Sequence, residues 1–209
     1  MYQTRQAASI KLPIKRKGTK YVAKALSHVR DSVPVVIAVR DMLKLARTAR
    51  EVKKMIKEKM LKINGRPAKD YRNSIGIFNI FEADKIYRLS IMRTGKFVFE
   101  EMKKNDDRLC KIIGKRLVSG GKIQLNFHDG TSVLTDKKEI GTGGSIYIDQ
   151  KGKIASHIPL EKGREVFVIK GKHQGLSGSI ESVEKKRIMI KFQGGKTADL
   201  SKDTLFVIK

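Results

Sequence analysis

Residues 48–65 of the chain read TAREVKKMIKEKMLKING, a helical pattern followed directly by a hairpin pattern. Thr48, with Glu51 three residues later, is a capping-box signature, in which the two side chains accept hydrogen bonds from backbone amides at the helix start. The pattern predicts a helix from Thr48 to about Lys59, with Lys59 marking its frayed end. Its apolar face consists of residues at helical spacing, namely Ala49, Val52, Met55 and Ile56.

The flanking residues extend this pattern on both sides. A shorter helix is predicted around Arg40–Ala46, which makes a helix–turn–helix pair. Residues 61–63 read as a strand, and Asn64-Gly65 supplies the two residues with positive φ that a tight hairpin turn requires. The segment therefore predicts a small helix–hairpin domain.

The predicted helix also has a basic face. Four cations recur at the spacing i, i+3, i+4 and i+7, which places them on one side of a helix: Arg50, Lys53, Lys54 and Lys57. A rigid row of cations beside a hairpin suits the irregular backbone of folded RNA. A solvated basic surface without a partner is the alternative for this face.

The sequence after about residue 76 reads as β-structure. Short apolar-rich runs are separated by glycine-containing turns, which is typical of small barrels and sandwiches; the runs are 77–81, 87–92, 96–99, 109–118, 123–127 and 145–148. From Gly163 the alternation of apolar and polar residues restarts, and it predicts a separate five-stranded barrel. Three glycines, Gly171, Gly175 and Gly178, lie between the first two strands of that unit, as suits a loop that turns sharply. Gly175 is expected where a side chain would clash with an RNA backbone or where the backbone needs a positive φ.

The composition favours a polyanionic partner. The 209 residues include 46 basic and 21 acidic side chains, a net charge of +25. Residues 1–80 alone carry 20 basic and 5 acidic side chains. These like charges repel one another in the folded chain, and binding to a polyanion relieves that repulsion.

The longest apolar run, residues 33–39, is far shorter than the ~20 residues of a membrane span, so no membrane partner is predicted. The lone Cys110 fits a reducing, cytoplasmic compartment.

Catalytic and metal-binding patterns are missing from the sequence. The histidines, at positions 28, 128, 157 and 173, lack zinc-type spacing. The segments around Gly121-Lys122 and Gly195-Lys196 fail the phosphate-loop pattern, because Arg116 and Ile190 stand where its first glycine is needed. The sequence therefore predicts no enzyme, no cofactor, no metal and no small-molecule substrate.

Two segments resemble known RNA-binding elements. The region from Arg40 to Asp70 resembles the alpha-L motif of ribosomal proteins and RNA-modifying enzymes. Residues 168–178, VIKGKHQGLSG, resemble the KOW motif of ribosomal proteins and transcription elongation factors, although an ordinary barrel turn is an alternative. Their order, with a β-segment between them, is similar to that of the archaeal and eukaryotic e-type family of small-subunit ribosomal protein four, and we identify the chain as a member, of archaeal type.

The resemblance implies an α+β protein of four parts. These are a basic N-terminal arm (1–32), an alpha-L type domain (33–80), a central β domain (81–160) and a C-terminal SH3-like KOW β-barrel (161–209). The implied partners are small-subunit ribosomal RNA and neighbouring small-subunit ribosomal proteins. The candidate RNA-binding residues are Lys15, Arg16, Lys17, Lys20, Arg40, Arg47, Arg50, Lys53, Lys54, Lys57, Arg66, Lys69, Lys172, His173 and Gly175.

Two other functions use similar parts. Pseudouridine synthases carry a similar N-terminal domain, but residues 115–118 read Lys-Arg-Leu-Val where their catalytic segment needs an acid at the last position. A KOW-type transcription factor is the second alternative. It accounts for neither the helical domain nor the charge excess.

Overall fold

The computed structural model describes residues 2–103, 107–118, 120–137, 139–149, 152–184 and 187–209. The chain forms two compact units, Met1–Asp106 and Asp107–Lys209. The described residues are mostly antiparallel β-structure with few helices, which agrees with the α+β class. The predicted four-part division is finer than these two units, and its boundary at residue 80 falls inside a strand, Ile80–Glu82.

The first unit contains three small antiparallel sheets. Its strands are β1 (Tyr2–Thr4), β2 (Tyr21–Ala23), β3 (Ser32–Pro34), β4 (Lys62–Ile63), β5 (Arg66–Pro67), β6 (Ser74–Gly76), β7 (Ile80–Glu82), β8 (Ile86–Ile91) and β9 (Phe97–Glu101). The pairs β1–β2 and β3–β6 form two-stranded ribbons, and a five-stranded sheet has the order β5-β4-β7-β8-β9. All these pairings are antiparallel.

The first helical segment lies earlier in the chain than the sequence predicts. A short turn, α1 (Val35–Ile37), leads into a π-helical turn, Ala38–Met42, in which the Leu43 amide donates to the Ala38 carbonyl at 2.9 Å. A short helical segment therefore precedes the longer helix, as predicted, but it ends at Met42, so the predicted bounds Arg40–Ala46 are wrong. The apolar run that precedes Arg40 is buried throughout, so it forms the helical turn as part of the core.

The second helix, α2 (Ala49–Lys57), confirms the capping box. The Glu51 amide donates to Thr48 Oγ1 at 3.3 Å, and the Glu51 carboxylate accepts from the Arg47 amide at 2.8 Å and from the Thr48 hydroxyl at 2.9 Å. Val52 is fully buried on its inner face. The helix ends at Lys57, and Lys59 has a left-handed φ of 57°, which accounts for the predicted end.

The hairpin after α2 is also confirmed. Asn64 and Gly65 have φ values of 51° and 76°, and they join β4 to β5. Asn64 also fastens the turn to β7, because its backbone N–H donates to the Ile80 carbonyl at 2.8 Å and its side-chain oxygen accepts from the Ile80 amide at 2.9 Å.

The predicted strand at residues 77–81 is interrupted. Phe78 is buried with a φ of 61°, a left-handed conformation that separates β6 from β7. The Phe78 amide still donates to the Leu89 carbonyl of β8 at 2.7 Å. The run of apolar residues was therefore a correct indicator of burial and a wrong indicator of a continuous strand.

The second unit contains two five-stranded antiparallel sheets. The first comprises β10 (Arg108–Leu117), β11 (Ile123–Phe127), β12 (Ser132–Thr135), β13 (Ser145–Ile148) and β14 (Ile154–Ile158), in the order β12-β11-β10-β13-β14. The second comprises β15 (Glu165–Val168), β16 (Ser177–Val183), β17 (Arg187–Phe192), β18 (Thr197–Ser201) and β19 (Leu205–Val207), in the order β18-β17-β16-β15-β19. Each sheet has its own apolar core cluster.

Polar contacts connect these two sheets within the second unit. Lys111 of β10 is buried, and its ammonium donates to the carbonyls of Lys202 and Leu205 at 2.5 and 2.8 Å. Ser145 accepts a hydrogen bond from the Val207 amide at 3.2 Å, and the Tyr147 hydroxyl donates to the Ile208 carbonyl at 3.1 Å. The end of the chain is thus fastened to β10 and β13.

Candidate nucleic-acid interface

The exposed face of α2 carries the four predicted cations. Arg50, Lys53, Lys54 and Lys57 are all exposed, whereas Val52 faces the core. Lys54 lies 3.9 Å from Glu58, a weak contact between two exposed side chains. Glu51 is engaged at the helix start, where the hydrogen bond from the Arg47 amide is the main cause that lowers the pKa of its carboxyl group. The face therefore presents mainly positive charge.

The other predicted cations of the helix–hairpin region differ in their surroundings. Arg47, Arg66 and Lys69 are exposed. Arg40 is only partly exposed, and its guanidinium donates two hydrogen bonds to Asp41, at 3.1 and 2.8 Å. Those hydrogen bonds raise the pKa of Arg40. A phosphate contact by Arg40 must therefore compete with Asp41, which makes it the weakest candidate of this group.

The cations of the basic arm lie in the loop that joins β1 to β2. Lys15, Arg16, Lys17 and Lys20 are all exposed. Arg5, which follows β1, donates from its guanidinium to the Lys15 carbonyl at 2.5 Å, to the Thr19 carbonyl at 2.8 Å and to the Thr19 hydroxyl at 2.9 Å. Sequence reasoning missed Arg5, because its partners lie 10 to 14 residues away. Arg5 uses its charge to hold the loop that presents the other cations.

The glycine-rich loop of the second unit has the predicted backbone. Gly171 and Gly175 have φ values of 92° and 78°, which confirms the expectation that Gly175 adopts a conformation disfavoured for other residues. The Gly175 amide closes the loop by donating to the Val168 carbonyl at 2.8 Å. Lys172 is exposed, but the half-buried His173 ring stacks on Phe192, with centroids 5.0 Å apart. His173 is thus partly a packing residue.

Gly178, in the same segment, is required for a different reason. A Cβ atom at this position would lie 2.6 Å from Ile190 Cγ2 and 2.7 Å from the Lys191 carbonyl oxygen. The glycine therefore allows β16 to approach β17 closely. Its role is in packing of the sheet, and the spacing of the three glycines in the sequence does not reveal this difference.

An aromatic residue joins α2 to the β1–β2 ribbon, and the sequence prediction did not include it. Lys53 Nζ lies 4.9 Å from the centroid of the Tyr71 ring, and the Arg72 guanidinium carbon lies 5.5 Å from it. The Tyr71 phenol forms a hydrogen bond with Tyr2 of β1, which is the main cause that raises the pKa of Tyr71. The mixture of charged and aromatic residues at 69–72 was the feature of the sequence that could have indicated this contact.

Features of metal centres, membrane spans and reactive thiols are missing from the described ranges. Among those residues, no three His, Cys, Asp or Glu side chains cluster in a way that could hold a metal ion. No helix in the same part of the chain is both long and apolar enough to cross a membrane. Cys110 is buried, and burial raises the pKa of its thiol to about 12, so this thiol is a poor nucleophile.

The chain is similar to known ribosomal proteins over most of its length. The model of ribosomal family S4e matches residues 83–154. The small ribosomal subunit protein eS4 of Methanocella arvoryzae is 35% identical over 187 residues, which cover 86% of this chain and 80% of that protein. The eS4 protein of Methanocaldococcus jannaschii is 30% identical over 224 residues, which cover 98% of this chain and 92% of that protein.

A solved structure extends the similarity to the fold. The crystal structure of the 30S ribosomal protein S4e from Thermoplasma acidophilum matches with a TM-score of 0.72 and 26% identity, covering 85% of this chain and 95% of that chain. These similarities place the chain in the class of structural ribosomal proteins, which are not enzymes. The chain belongs to the archaeal ribosomal S4e family. These relatives are proteins of the small subunit of the cytoplasmic ribosome.

Proposed function

We propose that this chain is a structural constituent of the small ribosomal subunit that binds small-subunit ribosomal RNA through three basic elements and supports subunit assembly and translation. The elements are the exposed face of α2 with its hairpin, the loop that Arg5 holds, and the glycine-rich loop around Lys172. In this proposal Met1–Asp106 includes an alpha-L type domain, and the last sheet of Asp107–Lys209 is an SH3-like KOW barrel. Neighbouring small-subunit proteins are the remaining partners.

The observation that carries the proposal is the exposed row of cations on α2. The capping box and the burial of Val52 fix the helix, so its orientation does not depend on a ligand. Because the row is fixed before binding, the RNA backbone meets positive charge with little loss of conformational freedom. Phosphate contacts of this kind position a protein on RNA without reading a base sequence.

Neutralising the row tests the proposal. We expect a variant with Arg50→Gln, Lys54→Gln and Lys57→Gln to remain folded, because glutamine is a good helix former and neither the core face nor the contact of Lys53 with Tyr71 is changed. Each phosphate contact contributes roughly 0.7–0.9 to the slope of log affinity against log salt concentration, so the loss of three should flatten that slope by about two. Affinity is measured by filter binding to an archaeal small-subunit ribosomal RNA transcript over a range of salt concentrations.

A matched control separates the row from overall charge. Lys85, Arg88 and Arg187 lie outside the proposed binding elements, and each pairs with an acid, at 2.8, 2.9 and 2.9 Å. Changing all three to glutamine lowers the net charge equally, and we expect the salt slope to change by much less than in the α2 variant. Equal slopes for the α2 variant and the unmodified protein would show that this helix is not an anchor.

A further inference from the structure

Two tyrosines lie on the exposed face of the β1–β2 ribbon. Tyr2 pairs with Ala23 and Thr4 pairs with Tyr21 in this antiparallel ribbon. Residues directly opposite each other point to the same side of a ribbon, as do residues two apart along a strand. Tyr2 and Tyr21 therefore share one face, and they are 63% and 55% exposed. Large aromatic surface is left open to solvent at this position.

Cations surround these rings and the ring of Tyr71. Lys20 Nζ lies 5.5 Å from the centroid of the Tyr21 ring. Tyr71, which hydrogen-bonds to Tyr2, contacts both the Lys53 ammonium and the Arg72 guanidinium. Three of the five tyrosines in the chain thus form one group with three cations. We call the six residues the tyrosine–cation cluster.

The remaining two tyrosines have a different environment. The Tyr87 hydroxyl donates to the Asp84 carboxylate at 3.0 Å, and burial raises the pKa of Tyr87 to about 12. The Tyr147 hydroxyl donates to the Ile208 carbonyl. Both of these rings serve the fold of their own unit. The exposed rings of Tyr2 and Tyr21 therefore need a separate explanation.

We propose that the tyrosine–cation cluster binds unpaired nucleotides of RNA, with the rings of Tyr2 and Tyr21 stacking on bases and Lys20 and Lys53 contacting the neighbouring phosphates. The Arg72 guanidinium is held by Asp70 at 3.0 Å and serves to position the Tyr71 ring. This inference rests on the proposed RNA-binding function and names a second mode of contact. Bases of paired RNA are stacked within the helix and inaccessible to aromatic side chains, whereas those of loops and bulges are accessible. Aromatic rings beside a positive surface are the usual means of binding single strands.

Charge decides between RNA and a protein as the occupant. Residues 1–30 contain eight basic and no acidic side chains. Lys11 pairs with Asp31, but an apolar protein surface placed on this ribbon would supply no counter-charge to the exposed cations of the loop, Lys15, Arg16, Lys17 and Lys20. A nucleotide supplies both a flat ring and an anion. The cluster also adjoins α2 through Lys53, so a strand leaving a phosphate contact on α2 reaches the rings directly.

Binding to two forms of RNA tests this inference on the full chain. The ligands are a single-stranded oligouridylate of about 12 nucleotides and a blunt RNA duplex of similar length. For the double variant Tyr2→Leu, Tyr21→Leu we expect about a tenfold or greater loss of affinity for the single strand, an unchanged salt slope, and unchanged duplex binding. The variant Tyr2→Phe, Tyr21→Phe keeps the rings and should retain most of the single-strand affinity.

The absence of tryptophan gives an independent signal. Emission from the chain arises from its five tyrosines, and a base stacked on an exposed ring quenches it. We expect the single strand to quench emission of the unmodified protein more than the duplex does. Leu26→Ala with Met92→Ala, which removes exposed apolar side chains of the same unit outside the proposed binding elements, is the control and should bind like the unmodified protein.

The possible failures are distinguishable. If the leucine variant binds the single strand as tightly as the unmodified protein, or loses affinity equally for both RNA forms, the cluster does not bind unpaired nucleotides. Neither result affects the proposed anchoring by α2, which is measured separately by the salt slope of the glutamine variant. Circular dichroism melting of each variant shows whether a loss of affinity is a loss of fold.

Discussion

Lys111 is expected to make the stability of the second unit rise with pH between about 8 and 10.5. Its ammonium lies among the carbonyls of Lys202 and Leu205 and 5.7 Å from the centroid of the Phe206 ring. Burial is the main cause that lowers the pKa of this amine from its ordinary value of 10.5 to about 8. The neutral amine still has two N–H groups for the two carbonyls, so deprotonation removes the cost of a buried charge without breaking these contacts.

The sign and size of the effect follow from the number of bound protons. Between the folded pKa of about 8 and the unfolded value of 10.5, the unfolded chain holds a proton that the folded chain has released. The free energy of unfolding therefore increases with pH across this window. At about 1.36 kcal/mol per pH unit, the full change amounts to roughly 3 kcal/mol, with the folded state least favoured below pH 8.

The variant Lys111→Met isolates this contribution, because it removes the titrating group and preserves most of the volume. Urea unfolding at 25 °C, followed by circular dichroism, gives the free energy of unfolding of both proteins from pH 7 to 10.5. We expect the unmodified protein to gain roughly 3 kcal/mol relative to the variant over this range, since other titrations occur in both proteins and cancel. Lys162→Met, at an exposed position, should give a constant difference. A constant difference for Lys111→Met as well would refute the reasoning.

Two further predictions concern the helix cap and the glycine-rich loop. Thr48→Ala removes the acceptor of the Glu51 amide and should lower the free energy of unfolding of the first unit by about 1 kcal/mol, measured by chemical denaturation. Thr48→Ser keeps a hydroxyl and should retain most of the stability. Equal stability of the alanine variant and the unmodified protein would contradict this role of Thr48. Lys172→Ala should weaken RNA binding severalfold with no change in melting temperature. His173→Ala should also lower the melting temperature, because the His173 ring stacks on Phe192 and such pairs contribute about 0.5–1.5 kcal/mol. Unchanged melting of the histidine variant would show that the stacking does not stabilise the loop.

The features that the sequence predicted correctly depend on short stretches of chain. The Thr48 cap involves a residue three positions away, and the left-handed turn at Asn64-Gly65 depends on two residues alone. Gly175 belongs to the same group, because its φ of 78° is a property of the loop that contains it. Local chemistry determines such features, so one sequence is sufficient to find them.

The features that the sequence did not predict depend on distant partners. Arg5 holds a loop 10 to 14 residues away, and Lys111 contacts carbonyls 91 and 94 residues away. The break at Phe78 follows from how this residue packs and bonds with β8, and local propensity carries no sign of it. The same limit applies to Tyr2 and Tyr71, whose contact joins segments of the first unit that are far apart in sequence.

The placement of acids connects folding with binding in this highly charged chain. Cations at β8 pair with acids of β9: Arg88 of β8 pairs with Glu100, and Lys85, which directly precedes β8, pairs with Glu101. Exposed pairs contribute only about 0–1 kcal/mol each, so their main effect is to lower the local positive potential. Residues 1–30 contain no acid of their own, although Asp31 pairs with Lys11. Positive charge is therefore concentrated on the arm and α2, and a polyanion that binds there removes the repulsion that the fold leaves in place.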